Sequence, residues 1–203
     1  MTEIMLIRHM ETEWNEQLRY IGRTDLSLSD FGRENAMRLK KFLGDTKFKK
    51  LYSSSLKRAR ETAAIIDTSQ NLELESLENL GEVDFGDWEG LTHPEILDSF
   101  KEEMNSWLND PSKEQIPSGE NWSEFEKRVL SEFNRILAAN KEGTIAIVTH
   151  AGPIKVILGN ILDVPPKRYW QIFQDKGAIN TIRVEKGRRW IVTVNDTCYR
   201  RIK

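Results

Sequence analysis

The pattern of apolar and polar positions along the chain predicts short buried strands that alternate with amphipathic helices. Two apolar runs, beginning at Ile4 and Thr144, have the length of strands that are covered on both faces of a sheet. Among the predicted helices, the one over 122–137 has the most sustained apolar stripe, with spacings of three and four residues. This order of strand, turn and helix favours an α/β fold with largely parallel strands.

Capping residues, turn residues and shorter apolar runs predict five further elements. They are a core-facing helix that begins after Ser29, carries Phe31, Ala36, Leu39, Phe42 and Leu43, and ends at Gly44; a strand over 50–53; a helix that begins at Ser54 or Ser55; a strand over 72–74; and an antiparallel hairpin of 178–185 and 190–195 at the sheet edge.

Two stretches interrupt the alternation of strands and helices. Residues 80–90 are rich in Gly and Asp, so we predict an irregular loop that belongs to an active site. Thr92 and Glu95 have the spacing of a capping box and begin a helical segment. Because a Pro-, Ser- and Gly-rich stretch follows that segment, we interpret 91–119 as a lid inserted into a single domain over 1–203. We expect substrate choice to depend on this lid.

Composition limits the classes of partner and cofactor. The 30 basic and 32 acidic residues give a formal charge of -2, which does not call for nucleic acid or an anionic membrane. One cysteine, Cys198, cannot form an internal disulfide, and with three histidines it leaves few ligands for zinc. No leader precedes Ile4, and no apolar run approaches the ~20 residues of a membrane helix. We expect a soluble, unprocessed, cytoplasmic protein without metal or cofactor, with Cys198 in a strand. The hairpin edge offers a surface for a homodimer.

Candidate chemistry lies where the two buried strands end. The first strand ends in Arg8 and His9, and the second in His150, each followed by a loop or turn. Parallel strands bring such ends together, so His9 and His150 are expected to be neighbours. An imidazole can act as a nucleophile or proton carrier, and a guanidinium is a fork for phosphate oxygens. This pattern indicates phosphoryl chemistry. The alternative is that each histidine caps its strand with an ordinary hydrogen bond.

Five short motifs occur in order along the chain. They are Leu6-Ile7-Arg8-His9-Met10-Glu11-Thr12-Glu13-Trp14-Asn15, Leu28-Ser29-x-x-Gly32, Ser54-Ser55-Leu56-Lys57-Arg58-Ala59-x-x-Thr62, Leu80-x-Glu82-x-x-Phe85-Gly86-x-Trp88-Glu89-Gly90 and Val148-Thr149-His150-Ala151-Gly152. Together they resemble the signature of the histidine phosphatase superfamily, also called phosphoglycerate mutase-like proteins. The resemblance implies a three-layer α/β/α sandwich with a mostly parallel central sheet, an antiparallel edge strand and an inserted helical lid.

The resemblance also implies a role for nine residues in the hydrolysis of a small phosphomonoester. His9 would become a phosphohistidine, and Glu82 would protonate the leaving alkoxide and then activate water. Arg8, Arg58 and His150 would surround the phosphoryl oxygens as three cations, which suffice without magnesium. Substrate binding would also involve Asn15, Thr12, Gly22 and Ala151. His93 lies outside every motif and is interpreted as a surface residue at a helix start.

Met10 departs from the family pattern, which usually has glycine at this position. A required positive φ would strain a methionine, and its side chain could crowd the phosphate. We expect instead that Met10 has ordinary dihedral angles, turns its side chain away and offers its carbonyl to orient His9.

Two features bear on the branch of the family. Phosphoglycerate mutases have Tyr where this chain has Phe85, and a pair of arginines in the inserted segment, whereas 91–119 contains no arginine. Hydrolysis is therefore favoured over mutase activity. The stretches over 107–125 and 169–180 are similar to the α-ribazole phosphatase branch, which acts in cobalamin synthesis. Phosphoserine phosphatase and broad-specificity phosphatase activities remain alternatives, as do a mutase and a non-catalytic binder of phosphorylated ligands.

Overall fold

The computed structural model describes residues 1–67 and 72–201.

 All nine residues to which the resemblance assigns a role lie within these two ranges, whereas part of the predicted domain over 1–203 lies outside them, at 68–71 and 202–203. The described residues form one six-stranded sheet with the strand order β3-β2-β4-β1-β5-β6. The strands are β1 (Thr2–Arg8), β2 (Phe48–Ser54), β3 (Leu74–Leu77), β4 (Gly143–Thr149), β5 (Ile179–Glu185) and β6 (Arg188–Asp196).

The sheet is mostly parallel and ends in the predicted hairpin. β1 pairs in parallel with β4, β4 with β2, and β2 with β3. β5 runs antiparallel to β1, and β6 pairs antiparallel with β5 at the sheet edge. Lys186 and Gly187 join the last two strands with φ of 48° and 78°. Two consecutive residues with positive φ match the twist of a two-residue hairpin turn.

Helices cover both faces of the sheet and produce three layers. The α-helices of the described chain are α1 (Glu13–Glu16), α2 (Asp30–Leu43), α3 (Lys57–Ile66), α4 (His93–Ser99), α5 (Lys101–Asn109), α6 (Trp122–Ala139) and α7 (Ala151–Ile161). Ile4 and Leu6 of β1 pack in one apolar cluster with residues of α6 and α7, whereas Ile7 packs in a second cluster with α2 and α3. Full burial of each such side chain stabilises the fold by about 1.5–3 kcal/mol.

The inserted segment forms two of these helices against the first cluster. Thr92 caps α4, and the reciprocal contact with Glu95 completes the predicted capping box. Ile96 of α4, and Met104 and Trp107 of α5, are almost completely buried in the same cluster as α6 and α7. The segment is therefore attached to the core through apolar contacts. No helix in the described part of the chain is long and apolar enough to cross a membrane.

Four local predictions were wrong. In α2, Phe31 and Phe42 are 57% and 40% exposed, because the buried stripe follows Gly32, Ala36, Leu39 and Leu43 at helical spacing. α3 begins at Lys57, since Ser54 still belongs to β2. β3 covers Leu74–Leu77 rather than 72–74, where it pairs with the end of β2. Cys198 lies in an exposed 3₁₀ turn rather than in a strand, because β6 ends at Asp196.

Candidate active site

The two predicted histidines meet at the carboxyl edge of the sheet. β1 and β4 are adjacent and parallel, and Arg8 pairs in register with Thr149, so each strand presents a histidine at its next residue. The imidazole centroids of His9 and His150 lie 5.0 Å apart, with 59° between the ring planes. Both side chains are almost completely buried. The fold thus places two imidazoles, 141 positions apart in the chain, at one point.

 His9 has one ring nitrogen tied to the main chain. Its Nδ1 lies 2.6 Å from the carbonyl oxygen of Met10, which can only accept, so Nδ1 carries the proton and Nε2 keeps its lone pair. Burial lowers the pKa of His9 well below its usual value, and the nearby guanidinium groups of Arg58 and Arg8 lower it further. The ring is therefore neutral at physiological pH, as a nitrogen nucleophile must be.

Met10 is accommodated as expected. It is not among the described residues with positive φ, and its side chain is buried. The sulfur accepts a hydrogen bond from the Tyr199 hydroxyl at 3.7 Å, and it packs on the Cα of Gly177, where a Cβ would be only 2.5 Å away. The Met10 amide donates to the Thr62 hydroxyl at 3.1 Å. The side chain is therefore anchored beside Tyr199 while the carbonyl orients His9.

Arg58 connects the second histidine to the loop after β1. Its Nε donates to Nδ1 of His150 at 3.2 Å, and its other nitrogens donate to the carbonyl oxygens of Thr24 and Gly22 at 2.8 Å and 2.7 Å. With Nδ1 as acceptor, Nε2 of His150 carries the proton and donates to the Ser54 hydroxyl at 2.8 Å. Ser54 is thus the last residue of β2, and its hydroxyl accepts the hydrogen bond from His150.

Arg58 and His150 differ in charge in the free protein. Burial lowers the pKa of Arg58 to about 10, which still leaves its guanidinium charged at neutral pH. Burial lowers the pKa of His150 well below its usual value, and Arg58 and His9 lower it further. In the free protein His150 is therefore a neutral hydrogen-bonding group rather than the third cation that the resemblance implied.

Arg8 has a donor without a partner in the described part of the chain. Its Nη1 donates to the carbonyl oxygen of Gln174 at 2.6 Å, whereas its buried Nε has no hydrogen-bond partner among the described residues. A buried donor without a partner is rare in a folded protein and costs about 1–3 kcal/mol. Arg8 also lines the cavity beside His9.

Glu82 is fixed by two backbone amides. Its Oε1 accepts from the amide of Val83 at 3.0 Å, and its Oε2 accepts from the amide of Gly152 at 3.1 Å. Gly152 lies in the first turn of α7, and a Cβ there would be 2.1 Å from Oε1 of Glu82. The close approach of the carboxyl to the helix therefore requires glycine at this position.

The four residues predicted to bind substrate are placed differently. Asn15 and Ala151 line the cavity beside His9. Thr12 is buried and caps α1, and its hydroxyl donates to the Asn15 side chain at 3.0 Å. Gly22 offers its carbonyl to Arg58 and does not line the cavity. Thr12 and Gly22 therefore support residues of the site instead of lining it.

The site opens into a cavity of about 430 Å³ with an aromatic wall. Its lining includes Arg8, His9, Asn15, Leu18, Arg19, Tyr20, Ile21, Glu82, Val83, Phe85, Trp107, Leu108, Trp122, Ala151, Gly152, Lys155, Trp170 and Lys176. Trp107 and Trp122 are almost completely buried, and both also line the cavity. His93, predicted at the surface, is partly buried and contacts Tyr20.

Two residues of the site, Lys155 and Gln174, were not identified from the sequence. Lys155 lies on α7 one turn after Ala151, so its helical spacing from the last motif could have identified it. Gln174 contributes a backbone carbonyl, which no side-chain pattern indicates. Within the described ranges, no group of three or more His, Cys, Asp or Glu side chains is arranged to hold a metal ion.

The chain belongs to the histidine phosphatase superfamily (branch 1), whose family model matches residues 4–197. It is a phosphatase of that superfamily. Phosphoserine phosphatase 1 of Hydrogenobacter thermophilus is 30% identical over 199 residues, which cover 98% of this chain and 94% of the relative. Adenosylcobalamin/alpha-ribazole phosphatase of Escherichia coli is 27% identical over 183 residues, with 90% of each chain covered.

A solved structure supports the same assignment. YhfR of Bacillus stearothermophilus superposes with a TM-score of 0.92 at 30% identity, over 98% of this chain and 99% of that one. Relatives named for phosphoserine and for alpha-ribazole both match most of the chain. Membership of the family therefore does not select between these two substrates.

Proposed function

We propose that the chain hydrolyses phosphomonoesters without a metal, through a covalent phosphohistidine on His9. The observation that carries this proposal is the hydrogen bond between His9 Nδ1 and the Met10 carbonyl oxygen, together with the low pKa of the ring. Both keep the lone pair of Nε2 free for attack on phosphorus. The neutral ring of His150 lies beside His9, 5.0 Å away between ring centroids, and is held there by Arg58 and Ser54.

The phosphoryl oxygens are held by charge and by hydrogen bonds. The guanidinium of Arg8, which lines the cavity, donates to one oxygen, and the charged guanidinium of Arg58 is hydrogen-bonded to His150. A phosphate monoester carries close to two negative charges. Each guanidinium at ~4 Å contributes on the order of 4 kcal/mol at an effective dielectric constant near 20. Two fixed cations therefore offset much of the charge that develops in the transition state.

The reaction has two steps. In the first, the lone pair of His9 Nε2 forms a bond to phosphorus while the bond to the ester oxygen breaks, and protonated Glu82 gives its proton to the leaving alkoxide. In the second, Glu82 takes a proton from water, the water oxygen attacks phosphorus, and the bond to His9 breaks. Phosphate leaves, and Glu82 is again protonated. Hydrogen bonds from the backbone amides of Val83 and Gly152 hold the Glu82 carboxyl in place for both proton transfers.

The substrate that we propose first is α-ribazole 5′-phosphate. The cavity of about 430 Å³ lies in the size range of pockets that hold drug-sized ligands. Tyr20, Phe85, Trp107 and Trp170 on its wall offer rings to an aromatic base. Stacking of a base on an aromatic side chain contributes about 1–3 kcal/mol.

One observation favours phosphoserine as a second candidate. The Nζ of Lys155 lies 5.0 Å from the centroid of the Trp170 ring, and it makes no ion pair with any residue that the structure describes. Lys176, also on the wall, is paired with Glu11 at 3.3 Å. An unpaired ammonium group in the cavity can bind the carboxylate of a small substrate.

A panel of substrates without added metal tests the proposal. Wild type and His9→Ala are assayed in the presence of a chelator with α-ribazole 5′-phosphate, phosphoserine, 3-phosphoglycerate and 4-nitrophenyl phosphate. We expect chelator-resistant hydrolysis that His9→Ala abolishes, and phosphorus from labelled substrate on His9 after acid-free quenching. Transfer to a glycerate acceptor would instead support a mutase, and binding without turnover would support a non-catalytic binder.

Lys155→Met separates the two candidate substrates. We expect a loss of kcat/KM of about tenfold on phosphoserine, equivalent to about 1.4 kcal/mol, and a smaller loss on α-ribazole 5′-phosphate. Lys167→Met, at an exposed lysine outside the cavity lining, is the matched control. Equal losses on both substrates would remove the argument for carboxylate recognition by Lys155.

A further inference from the structure

Arg128 of α6 uses all of its hydrogen-bond donors on two segments beside the site. Its Nη1 donates to the carbonyl oxygens of Asn79 and Gly81, both at 2.9 Å, and its Nη2 donates to that of Glu82 at 2.9 Å. Its Nε and Nη2 also donate to the two carboxylate oxygens of Glu120, at 2.5 Å and 2.8 Å. A guanidinium has five N–H groups, so each has a partner.

These contacts hold the backbone of the loop that carries Glu82. Gly81 and Glu82 lie outside the helices and strands, and their carbonyl oxygens accept from no backbone amide in the described chain. Glu82 itself is 8% exposed, so its carbonyl could not exchange Arg128 for bulk water without a rearrangement. Arg128 is therefore the group that fixes the main chain at the candidate acid.

Glu120 joins this arrangement to the end of the inserted segment. Its Oε2 accepts from the amide of Asp84 at 3.3 Å, and its own amide donates to the Asp84 carbonyl at 3.0 Å. The side chains of Arg128 and Glu120 are only 15% and 13% exposed, so their attraction is less screened than that of a surface pair. The ion pair thus connects residues on both sides of Glu82 to α6.

We propose that Arg128 is a positioning residue that holds Glu82 where it can protonate the leaving group. This inference rests on the role proposed above for Glu82. Lysine cannot replace arginine here, because an ammonium group has three donors around one nitrogen and cannot reach three carbonyl oxygens and a carboxylate together. Arg128→Lys therefore keeps the charge and loses part of the support of the loop.

The leaving group of the substrate distinguishes this role from a general effect on folding. Phosphoserine and α-ribazole 5′-phosphate release alkoxides, which need a proton from Glu82, whereas 4-nitrophenyl phosphate releases a stabilised phenolate, which does not. We expect Arg128→Lys to lower kcat/KM at least about tenfold on the better of the two alkyl esters and less than about threefold on the aryl ester.

Matched variants complete the experiment. Arg135→Lys is the control, because Arg135 lies on the same helix and pairs with Glu132 and Glu75. Arg135 itself makes no hydrogen bond to Gly81 or Glu82 in the described chain, and Glu132 contacts the loop through the side chain of Asn79. Arg135→Lys should show the same kcat/KM as wild type on both esters. Glu82→Gln should show the same dependence on the leaving group as Arg128→Lys, with a larger loss of kcat/KM on the alkyl ester. If Arg128→Lys does not fold by circular dichroism, Glu120→Gln replaces it, with a smaller loss of the same selectivity expected.

The outcomes separate the two proposals. If Glu82→Gln loses the same factor on alkyl and aryl esters, the role proposed for Glu82 is wrong. If Glu82→Gln is selective for alkyl esters but the folded Arg128 or Glu120 variant is not, Arg128 has only a structural role and this inference is wrong. Selective loss in both variants, with Arg135→Lys unaffected, supports it.

Discussion

Replacement of Gly152 by alanine tests how closely the placement of Glu82 controls turnover. The new Cβ would lie 2.1 Å from Glu82 Oε1 and 2.9 Å from the Phe125 ring, whereas ordinary contact begins at 3.4 Å. The Glu82 carboxyl is the end of a flexible side chain, so it gives way more readily than the packed ring of Phe125. It must retreat by roughly 1 Å, and a misplacement of that size costs on the order of 100-fold in rate.

Stability should change much less than activity in this variant. Gly152 lies in α7, and alanine has a higher helix propensity than glycine by up to about 1 kcal/mol, which offsets part of the clash. The expected result is a loss of about 100-fold in kcat/KM on an alkyl ester, equivalent to about 2.7 kcal/mol, with a change of about 1 kcal/mol or less in the free energy of unfolding. Steady-state kinetics and urea titration measure the two quantities.

Gly187→Ala is a control that should lose stability without losing activity. A Cβ at Gly187 meets no atom within 4 Å, but its φ of 78° strains any residue other than glycine. This variant should lose about 1 kcal/mol of stability and keep its kcat/KM. If Gly152→Ala retains kcat/KM within about threefold of wild type, the reasoning that links the Glu82 carboxyl position to turnover is refuted.

Three further predictions concern the residues around His9. Burial keeps the pKa values of His9 and His150 below their usual value, so the unfolded chain binds more protons than the folded chain below about pH 6.5. The free energy of unfolding should therefore fall as the pH is lowered. Urea titrations over this pH range should show a shallower fall for His150→Gln than for wild type. Met10→Gly should lose about 3 kcal/mol in the same titrations but keep a measurable rate, because the carbonyl that orients His9 remains; complete inactivity of the folded variant would contradict this. Thr62→Val should lose about 1–2 kcal/mol, since the Met10 amide loses its acceptor, and an unchanged melting temperature would contradict it.

Much of the fold could be predicted from the sequence, because helix caps and apolar periodicity depend on residues close together in the chain. The Ser29 cap and the Gly44 stop of α2 depend on residues within one turn of each helix end, and both are confirmed. The stripe of α6 follows from its helical spacing alone. By contrast, Phe31 and Phe42 are exposed although they are apolar, because the position of α3 and of the sheet determines which stripe of α2 is buried.

The sequence by itself determined which residue types follow each strand, and the family motifs indicated that His9, Arg58, Glu82 and His150 belong to one site. Only the tertiary structure decided which nitrogen of His9 is free, because the Met10 carbonyl fixes the other one. It also decided that Arg128 supports the loop of Glu82, a contact between segments 46 residues apart. Periodicity and capping depend on neighbours along the chain, whereas hydrogen bonds and pKa shifts depend on groups that folding brings together.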